Sequence, residues 1–388
     1  MKILVLLSRV PYPIEKGDKL RAYNFIKELS KSNEIHLFAV DDCNTKTEHI
    51  NHLQKYSTSI TVVPISRIRK YWNAVKSFIK GQPLQAGYFY SRNINKIFQS
   101  KLEEIKPDHI FGQLIRINEY VKNINIPKTI DIQDTMSLNF MRSSQQLKFP
   151  KNILYKIESN RLKKYENKIF DNYDNKILIS ESDREHYPHE NRNEIKIITN
   201  GVDYDFFKPM ERGKDIDLIF TGNMNYIPNI DGSLFLIKDI LPLLLKEKPD
   251  IRIMIAGATP HNDIKQLESE NVIVTGWVED IRECYARAKV FIAPMRIGTG
   301  LQNKLLEAMA MQIPSITTSL ANESLKAKAN RDILIADNKN ELAKHILSLL
   351  NDEKMAKDLA MNGYKFVKDN YDWAKAGEDL NKIITNTR

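Results

Sequence analysis

The stretch KVFIAPMRIGTGLQNKLLEAMAM, from Lys289 to Met311, decides the fold of this chain. It begins with the apolar run Val290–Ala293, which is typical of a strand buried on both faces of a sheet. A turn containing Gly298 and Gly300 follows, and the apolar spacing after it predicts a helix. Thr299 and Gln302 have the spacing of a capping box, so we expect this helix to start with Thr299 as its N-cap.

A strand, a glycine turn and a helix start can together bind an anion. Free backbone N–H groups and the helix dipole point at one spot in such an arrangement. Asn303, Lys304 and Glu307 fall three and four residues apart on one helix face. A cation near the turn and a carboxylate one turn later suit the diphosphate and the ribose of a nucleotide. An ordinary βα unit with a solvated Lys304–Glu307 pair is the open alternative.

Composition indicates a globular protein of two or three domains. The chain has 388 residues, of which 42% are hydrophobic and 28% are charged, and this argues against disorder. Cys43 and Cys284 are far apart, which argues against a disulfide framework and favours a reducing compartment. The N-terminus lacks the features of a signal peptide and no apolar run approaches the roughly 20 residues of a membrane span. We therefore expect a cytoplasmic protein.

The formal net charge of +9 permits an anionic partner, although a lysine-rich solvated surface has the same charge. No nucleic-acid-binding motif is present in the sequence, so we expect no nucleic acid partner. The segment Arg67–Lys80 mixes five basic residues with aromatic and aliphatic ones. Such a helix suits an anionic membrane surface. The more ordinary arrangement, which we favour, packs its apolar face on the sheet.

Apolar runs alternate with amphipathic segments along the whole chain, which predicts an α/β protein with parallel, doubly wound sheets. The turn signals and charged residues between about 195 and 215 mark a boundary. We expect domains at 1–197 and 198–370, with a cleft between them as the ligand site and a last helix, 371–388, packed back on the first domain. The strands are predicted at 3–7, 35–40, 60–65, 110–111, 129–132 and 177–179, and then at 218–220, 251–256, 272–274, 290–293 and 315–317.

Five motifs in order give the chain a family resemblance. They are SRVPYPIEKGDKLRAYNFIKELS, ITNGVDYDFFKP, IFTGNMNYIPNIDG, VTGWVEDIRECYARAKVFIAP and RIGTGLQNKLLEAMAMQIPSITT. In these motifs the chain resembles GT-B glycosyltransferases, specifically the retaining glycosyltransferase family 4 and its bacterial sugar transferases of exopolysaccharide clusters. The resemblance implies two Rossmann-like domains facing a central cleft. It places the acceptor in 1–197 and the nucleotide sugar in 198–370.

The resemblance also implies roles for single residues. Glu307 matches the glutamate that holds the ribose. Asp134 falls near the reacting sugar, although a turn or N-cap role is equally open from the sequence. The remaining candidates are the diphosphate-binding turn and helix start (Gly298, Thr299, Gly300, Leu301 and Asn303), the base-contacting Trp277 and Val278, the loop residues Gly222 and Asn223, and Gly17, whose loop faces donor phosphates and acceptor.

Two departures from the family pattern affect the chemistry. Thr299 occupies the position of the first of two glutamates, which is commonly linked to the transferred sugar. The loop that starts at Gly222 lacks the usual Arg and Lys. We expect Arg296 and Lys304 to supply the cation for the leaving diphosphate, so that they join Asp134 as the candidate catalytic residues. A helix start and these cations need no metal, and we expect neither a metal nor a cofactor.

The expected activity is transfer of a sugar from a nucleoside-diphosphate sugar to a glycan or lipid-linked acceptor in bacterial surface polysaccharide synthesis. The transfer would be retaining and metal-independent, at the inner face of the plasma membrane. A sugar-nucleotide 2-epimerase of the same fold is an alternative enzyme. A catalytically inactive family member acting as a binding subunit is the non-enzymatic alternative, and Thr299 is the feature that favours it.

Overall fold

A computed structural model describes residues 1–14, 16–41, 45–298 and 300–387. The chain divides into two compact units. The first unit comprises Met1–Thr199 and Trp373–Arg388, and the second comprises Asn200–Asp372.

The first unit contains a seven-stranded parallel sheet with the strand order β3-β2-β1-β4-β5-β6-β7. Apolar side chains on both faces of the central strands explain why they form continuous apolar runs. The strands are β1 (Lys2–Leu7), β2 (Glu34–Asp41), β3 (Ser59–Pro64), β4 (His109–Gln113), β5 (Lys128–Gln133), β6 (Asn175–Leu178) and β7 (Lys196–Ile197).

Helices of the first unit connect these strands and cover the sheet. They are α1 (Gly17–Leu29), α2 (Thr47–Leu53), α3 (Arg67–Ile79), α4 (Leu84–Tyr88), α5 (Arg92–Ile105), α6 (Asn118–Val121), α7 (Met136–Gln146), α8 (Lys151–Ile169) and α9 (Glu181–Glu185). The chain breaks between two of these helices, since α7 ends at Gln146 and α8 begins at Lys151, directly after Pro150. Proline lacks the N–H that a helix interior requires, and it is tolerated at a helix start.

The second unit contains a six-stranded parallel sheet with the order β10-β9-β8-β11-β12-β13. Its strands are β8 (Ile216–Thr221), β9 (Ile253–Ala256), β10 (Val272–Gly276), β11 (Ala288–Ala293), β12 (Ser315–Thr317) and β13 (Leu334–Ile335). Its helices are α10 (Ile227–Phe235), α11 (Leu241–Glu247), α12 (Asn262–Lys265), α13 (Ile281–Ala286), α14 (Asn303–Ala310), α15 (Ser319–Leu325), α16 (Lys339–Asn351) and α17 (Glu353–Asn370).

The last helix, α18 (Trp373–Thr385), belongs to the first unit and packs on α1. Trp373 meets Phe25 edge to face, with ring centroids 5.8 Å apart. A Cβ added at Gly377 would lie only 2.2 Å from Cβ of Glu28, so the glycine permits the close approach of the two helices.

The two doubly wound parallel sheets confirm the predicted fold class. Each predicted strand corresponds to a strand of the structure, while the two-residue strands β7 and β13 were not predicted. Within the described parts of the chain, no helix is both long and apolar enough to cross a membrane.

The expected packing of α3 is wrong. Its apolar residues point to solvent, with Ile68 72% and Trp72 70% exposed, whereas Lys70 and Ser77 are buried. The physical reason is that the polar side of α3 finds partners in the fold, as Asn73 does by donating a 2.6 Å hydrogen bond to the carbonyl of Tyr90.

Candidate functional site

The loops that leave the carboxyl ends of β8, β9 and β10 meet at one edge of the second sheet. The amide of Gly222 donates to the carbonyl of Ala256 over 3.1 Å, and the amide of Gly257 donates to the carbonyl of Gly276 over 3.2 Å. A Cβ added at Gly257 would lie 1.9 Å from the carbonyl oxygen of Gly222, so the loops can approach this closely only with glycine there. In open α/β sheets, ligands bind at this edge.

Lys304 lies beneath these loops rather than in solvent. Its side chain is buried, and Nζ donates a 2.5 Å hydrogen bond to Oδ1 of Asn229. Nζ also lies 4.5 Å from the centre of the Phe220 ring. Asn229 in turn donates from Nδ2 to the carbonyl of Asn223 over 2.9 Å. The structure thus brings together Lys304, Asn223 and Gly222. A Cβ added at Gly222 would lie 3.2 Å from Nζ of Lys304.

Burial controls the charge of Lys304. It lowers the pKa of the amine to about 7, while the nearby Glu307 carboxylate acts in the opposite direction. An anion placed beside Nζ would raise this pKa, because an opposite charge favours the protonated amine. Because Lys304 is buried, the open alternative of a solvated Lys304–Glu307 pair is wrong.

Glu307 is held by a buried tyrosine. The hydroxyl of Tyr285 donates to Oε2 of Glu307 over 2.9 Å, and it lies 2.7 Å from Oγ1 of Thr221. Burial raises the pKa of the Glu307 carboxyl, and the hydrogen bond from Tyr285 and the charge of Lys304 oppose that shift. Sequence reasoning missed Tyr285 and Thr221. The available signal was a tyrosine on α13 three residues before the buried strand β11, since a buried tyrosine hydroxyl usually finds a polar partner.

The glycine turn differs from its predicted form. Gly298 and Gly300 have φ values of 112° and 78°, and α14 begins only at Asn303. The N-cap position belongs to Gln302, which makes no side-chain capping bond. The expected helix start at Thr299 is therefore wrong, because positive φ angles on this turn interrupt a right-handed helix. Thr299 itself lies outside the described residues.

The other predicted residues of this turn are divided between the core and the helix start. Leu301 is partly buried against the apolar core of the second unit. Asn303, the first residue of α14, accepts a 2.9 Å hydrogen bond at Oδ1 from Nδ2 of Asn200. Lys304 and Glu307 occupy the first two turns of the same helix.

Trp277 and Val278 follow directly after β10. The indole of Trp277 is 67% exposed, whereas Val278 is partly buried against the core. The chain turns before them at Gly276, with φ of 67°. An exposed aromatic ring at the ligand-binding edge of a sheet offers a flat surface on which a base can stack.

Arg296 has a carboxylate partner of its own. Its Nε and Nη2 donate to the two carboxylate oxygens of Asp231 over 3.0 and 2.7 Å. The guanidinium also lies 4.3 Å from the centre of the Phe235 ring. Both partners are on α10, so the charge of Arg296 is already balanced by the fold. Lys304 lacks such a bidentate partner among the described residues, and this distinguishes the two predicted cations.

In the first unit, Asp134 and the start of α1 lie near the same sheet edge. Asp134 follows β5, and the N-cap position of α7 belongs to its neighbour Thr135. Burial and the negative charge of Asp183 raise the pKa of the Asp134 carboxyl well above its usual range, while Arg21 opposes the shift. Gly17 is the exposed first residue of α1.

A buried ion pair fixes this edge of the first sheet. Arg21 of α1 donates from Nε to both carboxylate oxygens of Asp131 on β5, over 2.8 and 3.0 Å. Gln113, at the end of β4, donates to the carbonyl of Asp18 over 3.1 Å. These contacts hold the N-terminal turn of α1 against the carboxyl ends of β4 and β5.

No cluster of three or more metal-ligating His, Cys, Asp or Glu side chains is present among the residues that the structure describes.

Residues 215–352 match the family described as Glycosyl transferases group 1. Over 98% of its length the chain is 25% identical to an "Uncharacterized 44.6 kDa protein in cps region" of Klebsiella pneumoniae, of which the alignment covers 99%. The fold resembles that of sucrose-phosphate synthase from Thermosynechococcus elongatus, with a TM-score of 0.74, 15% identity, and coverage of 100% of this chain and 99% of that chain.

Another solved structure, Anabaena HepE in complex with UDP, has a TM-score of 0.69 and 14% identity, with both chains covered completely. The two parallel sheets and these full-length similarities show the GT-B fold. Together with the family match across most of the second unit, they support a glycosyltransferase.

Proposed function

We propose that the chain transfers a sugar from a nucleoside-diphosphate sugar to a glycan or lipid-linked acceptor, with retention and without a metal. The observation that most strongly supports this proposal is the arrangement of side chains at the ligand-binding edge of the second sheet. A buried lysine, Lys304, lies against the glycine loop at Gly222, and the carboxylate of Glu307 is positioned one turn along the same helix. Lys304 thus supplies a cation that can bind a diphosphate, and Glu307 supplies an acceptor for hydrogen bonds from the ribose hydroxyls.

Each part of the donor has a proposed partner. Lys304 and the amides of Gly300 and Leu301 stabilise the diphosphate, on which negative charge grows as the glycosidic bond breaks. Glu307 accepts hydrogen bonds from the ribose, and Trp277 stacks on the base. Arg296 serves mainly to hold α10 through Asp231, since its charge is already paired.

The proposed reaction exchanges one bond at the anomeric carbon for another. The bond to the diphosphate oxygen breaks through an oxocarbenium-like transition state, and the acceptor hydroxyl attacks from the same face. The acceptor proton passes to the leaving phosphate. Asp134, with Gly17 on the acceptor side, orients hydroxyl groups. Its raised pKa supports this role, because a carboxyl that titrates near neutral pH can donate or accept a hydrogen bond.

The comparisons guide the choice of substrate class. HepE was solved with UDP, so UDP-sugars are the first donors to test. The Klebsiella relative is described as lying in a cps region, which supports a role in surface polysaccharide synthesis at the inner face of the plasma membrane. Contact with an anionic membrane through Arg67–Lys80 belongs to the same proposal.

Thermal stabilisation tests the donor. UDP, GDP, TDP and CMP, free and as sugar conjugates, are added to the full-length protein, since a ligand that binds only the folded state raises the melting temperature. We expect UDP compounds to raise it, and Glu307→Ala to abolish the rise. No stabilisation by any nucleotide would contradict the proposal. Added EDTA is expected to leave turnover unchanged, and loss of turnover would contradict the metal-independent mechanism.

Product analysis separates the alternatives. A 2-epimerase converts a UDP-sugar without an acceptor, whereas a transferase releases UDP only when an acceptor or water takes the sugar. An inactive binding subunit binds nucleotide but turns over no sugar donor. Release of UDP that is lost in Glu307→Ala therefore eliminates the binding-subunit alternative.

A further inference from the structure

Helix α3 carries its polar side inward and its apolar side outward. Lys70 and Ser77 are buried. Nζ of Lys70 lies 5.4 Å from the centre of the Tyr88 ring on α4, and Asn73 donates to the carbonyl of Tyr90. Gly87 of α4 packs so tightly on Ser77 that an added Cβ would overlap its hydroxyl. The polar side of α3 is therefore its packing side.

The outer side of α3 consists of large apolar residues. Ile68 is 72% exposed, Trp72 70% and Ile79 78%, and their helical spacing places them on one side. Tyr71, Val75 and Phe78 are exposed beside them. A contiguous exposed apolar surface of this kind marks an interaction site.

The first half of α8 repeats this inversion. Ile153, Leu154 and Ile157 are exposed, whereas Glu158 is buried and accepts a 2.7 Å hydrogen bond at Oε1 from the amide of Leu84. Phe149, just before the helix, is 78% exposed.

The two exposed surfaces meet. The guanidinium of Arg161, one turn after Ile157 on α8, lies 4.3 Å from the centre of the Phe78 ring on α3. We call the combined surface the two-helix face; its apolar members are Ile68, Tyr71, Trp72, Val75, Phe78, Ile79, Phe149, Ile153, Leu154 and Ile157.

Positive charge surrounds the two-helix face. Segments 67–80 and 147–157 contain eight Lys and Arg residues and no Asp or Glu. Of these, only Lys70 is buried. Behind α3 lies a cavity of about 430 Å³ lined by five cations and one carboxylate; the cations are Arg69, Lys76, Lys80, Arg92 and Lys122, and the carboxylate is Glu119. Glu119 is paired with Lys122 over 2.8 Å, so the cavity has a net positive charge.

We propose that the two-helix face inserts its apolar side chains into the interfacial region of an anionic phospholipid bilayer. Exposed aromatic and aliphatic residues with flanking Lys and Arg are the combination that binds in the plane of such a surface. The cavity behind α3 accommodates an anionic headgroup. Because α8 contributes a second helix, the docking surface is larger than the single basic helix, Arg67–Lys80, that the sequence indicated. This inference rests on the membrane contact that the proposed function includes, and it deepens that contact by adding α8 and the headgroup cavity. Binding to the bilayer requires no nucleotide.

The test is flotation of the full-length protein with vesicles. We compare phosphatidylcholine alone with phosphatidylcholine mixed with phosphatidylglycerol, at low and high salt. The α3 variant is Ile68→Ser with Trp72→Ser, and the α8 variant is Ile153→Ser with Leu154→Ser. The charge variant is Arg67→Gln, Lys76→Gln and Lys80→Gln. Matched controls on the exposed side of α17 are Met361→Ser, and Lys354→Gln with Lys365→Gln.

We expect the unchanged protein to float with anionic vesicles and to be released by salt. The charge variant should bind about a hundredfold more weakly, because each basic residue near an anionic surface contributes about fivefold. Both apolar variants should lose binding, and the α17 controls should retain it. Since these substitutions remove exposed side chains, unchanged melting temperatures will show that folding is intact.

Three results would overturn the proposal. They are failure of the unchanged protein to float with anionic vesicles, equal binding to neutral vesicles, and full binding by the α8 variant. A dimer in solution that Trp72→Ser dissociates, without vesicle binding, would assign the face to a second copy of the chain. Vesicle binding in a protein that UDP does not stabilise would leave this inference standing while the proposed sugar transfer fails.

Discussion

The hydroxyl of Tyr285 donates a 2.9 Å hydrogen bond to Oε2 of Glu307. Because that proton is committed to the carboxylate, the 2.7 Å contact with Thr221 is a hydrogen bond donated by the threonine hydroxyl. The chain of hydrogen bonds runs from β8 through α13 to α14. It fixes the rotamer of the carboxylate that we propose to hold the ribose, leaving its other oxygen for the ligand.

Removing this hydroxyl should weaken nucleotide binding. In Tyr285→Phe the buried ring remains, but the Glu307 carboxylate loses the hydrogen bond that fixes its rotamer. We expect the Kd for UDP to rise about fivefold, which corresponds to about 1 kcal/mol of binding free energy. Isothermal titration calorimetry measures the change. Tyr371→Phe is the matched control, since its buried hydroxyl donates to the carbonyl of Leu325 over 2.6 Å in the same unit. Equal weakening by both variants would contradict a specific role for Tyr285.

A series of glycine substitutions separates backbone strain from steric overlap. A Cβ at Gly222 would lie 2.6 Å from Nδ2 of Asn229, at a φ of 152°. At Gly276 the φ is 67° but no atom lies within 4 Å, and Gly213 has neither constraint. We expect Gly213→Ala to be neutral and Gly276→Ala to cost about 1–2 kcal/mol of unfolding free energy. Gly222→Ala should cost more and also displace Asn229 from Lys304. Urea unfolding measures the three, and equal losses at Gly222 and Gly276 would contradict the packing argument.

The two predicted cations should differ in their contribution to nucleotide binding. Lys304→Gln removes a buried charge beside the proposed diphosphate, and losing one charge-assisted hydrogen bond costs about 1.5–3 kcal/mol, or about 10- to 100-fold in Kd for UDP. Arg296→Gln removes a charge already paired with Asp231 in a partly exposed contact, so we expect less than about threefold. Titration with uridine as well as UDP provides the control, because uridine has no phosphate. A larger effect from Arg296 would reverse the assignment.

The sequence predicted the sheets but misplaced the packing side of α3, because an amphipathic pattern does not say which side of a helix meets the fold. Val290–Ala293 has no polar face, which favours a strand buried on both sides, and this run lies in β11. In α3 the pattern defines two sides but not which one meets the fold, and the side with Lys70 and Ser77 is the buried one. Lys304 shows the same ambiguity: its spacing from Glu307 predicted a shared helix face, not its burial.

The sequence predicted individual residues of the candidate site at positions where the backbone conformation requires a particular residue type. Gly222, Gly298 and Gly300 all have positive φ. This conformation favours glycine, so it can be recognised from the residue type alone. Tyr285 and Asn229 contribute through contacts between residues far apart in the chain. Such contacts leave no local pattern, so only the structure revealed them.

The affinity for UDP should depend on pH through Lys304. Its pKa of about 7 in the free protein rises when a diphosphate binds, so binding above pH 7 requires uptake of a proton. We expect the Kd to be lowest below about pH 7, where the amine is already protonated, and to rise above it by up to about tenfold for each pH unit. Calorimetry in buffers of different ionisation enthalpy measures the proton uptake directly. In Lys304→Arg the guanidinium stays charged, so both the proton uptake and the pH dependence should disappear.

Asp134 should show a conflict between stability and activity. Its carboxyl has a pKa raised by burial and by Asp183, so the folded state binds a proton more tightly than the unfolded chain does. Stability is therefore lost as pH rises from about 4, the unfolded value, through the folded pKa, because the ionised carboxylate is disfavoured in the fold. Asp134→Asn removes this titration. We expect the variant to gain in melting temperature over the unchanged protein at pH values above neutral, with little gain in acid.

The same substitution should lower kcat for sugar transfer, because the carboxamide has one acceptor oxygen where the carboxyl has two, so it cannot orient the same hydroxyl groups. Melting curves and initial rates on one set of samples measure both effects. Asp183→Asn is the comparison, since this carboxyl accepts from Ser180 and from the amide of Thr135, so its loss should destabilise the fold. A variant at Asp134 that loses stability and keeps its kcat would show that the carboxylate serves the fold rather than the reaction.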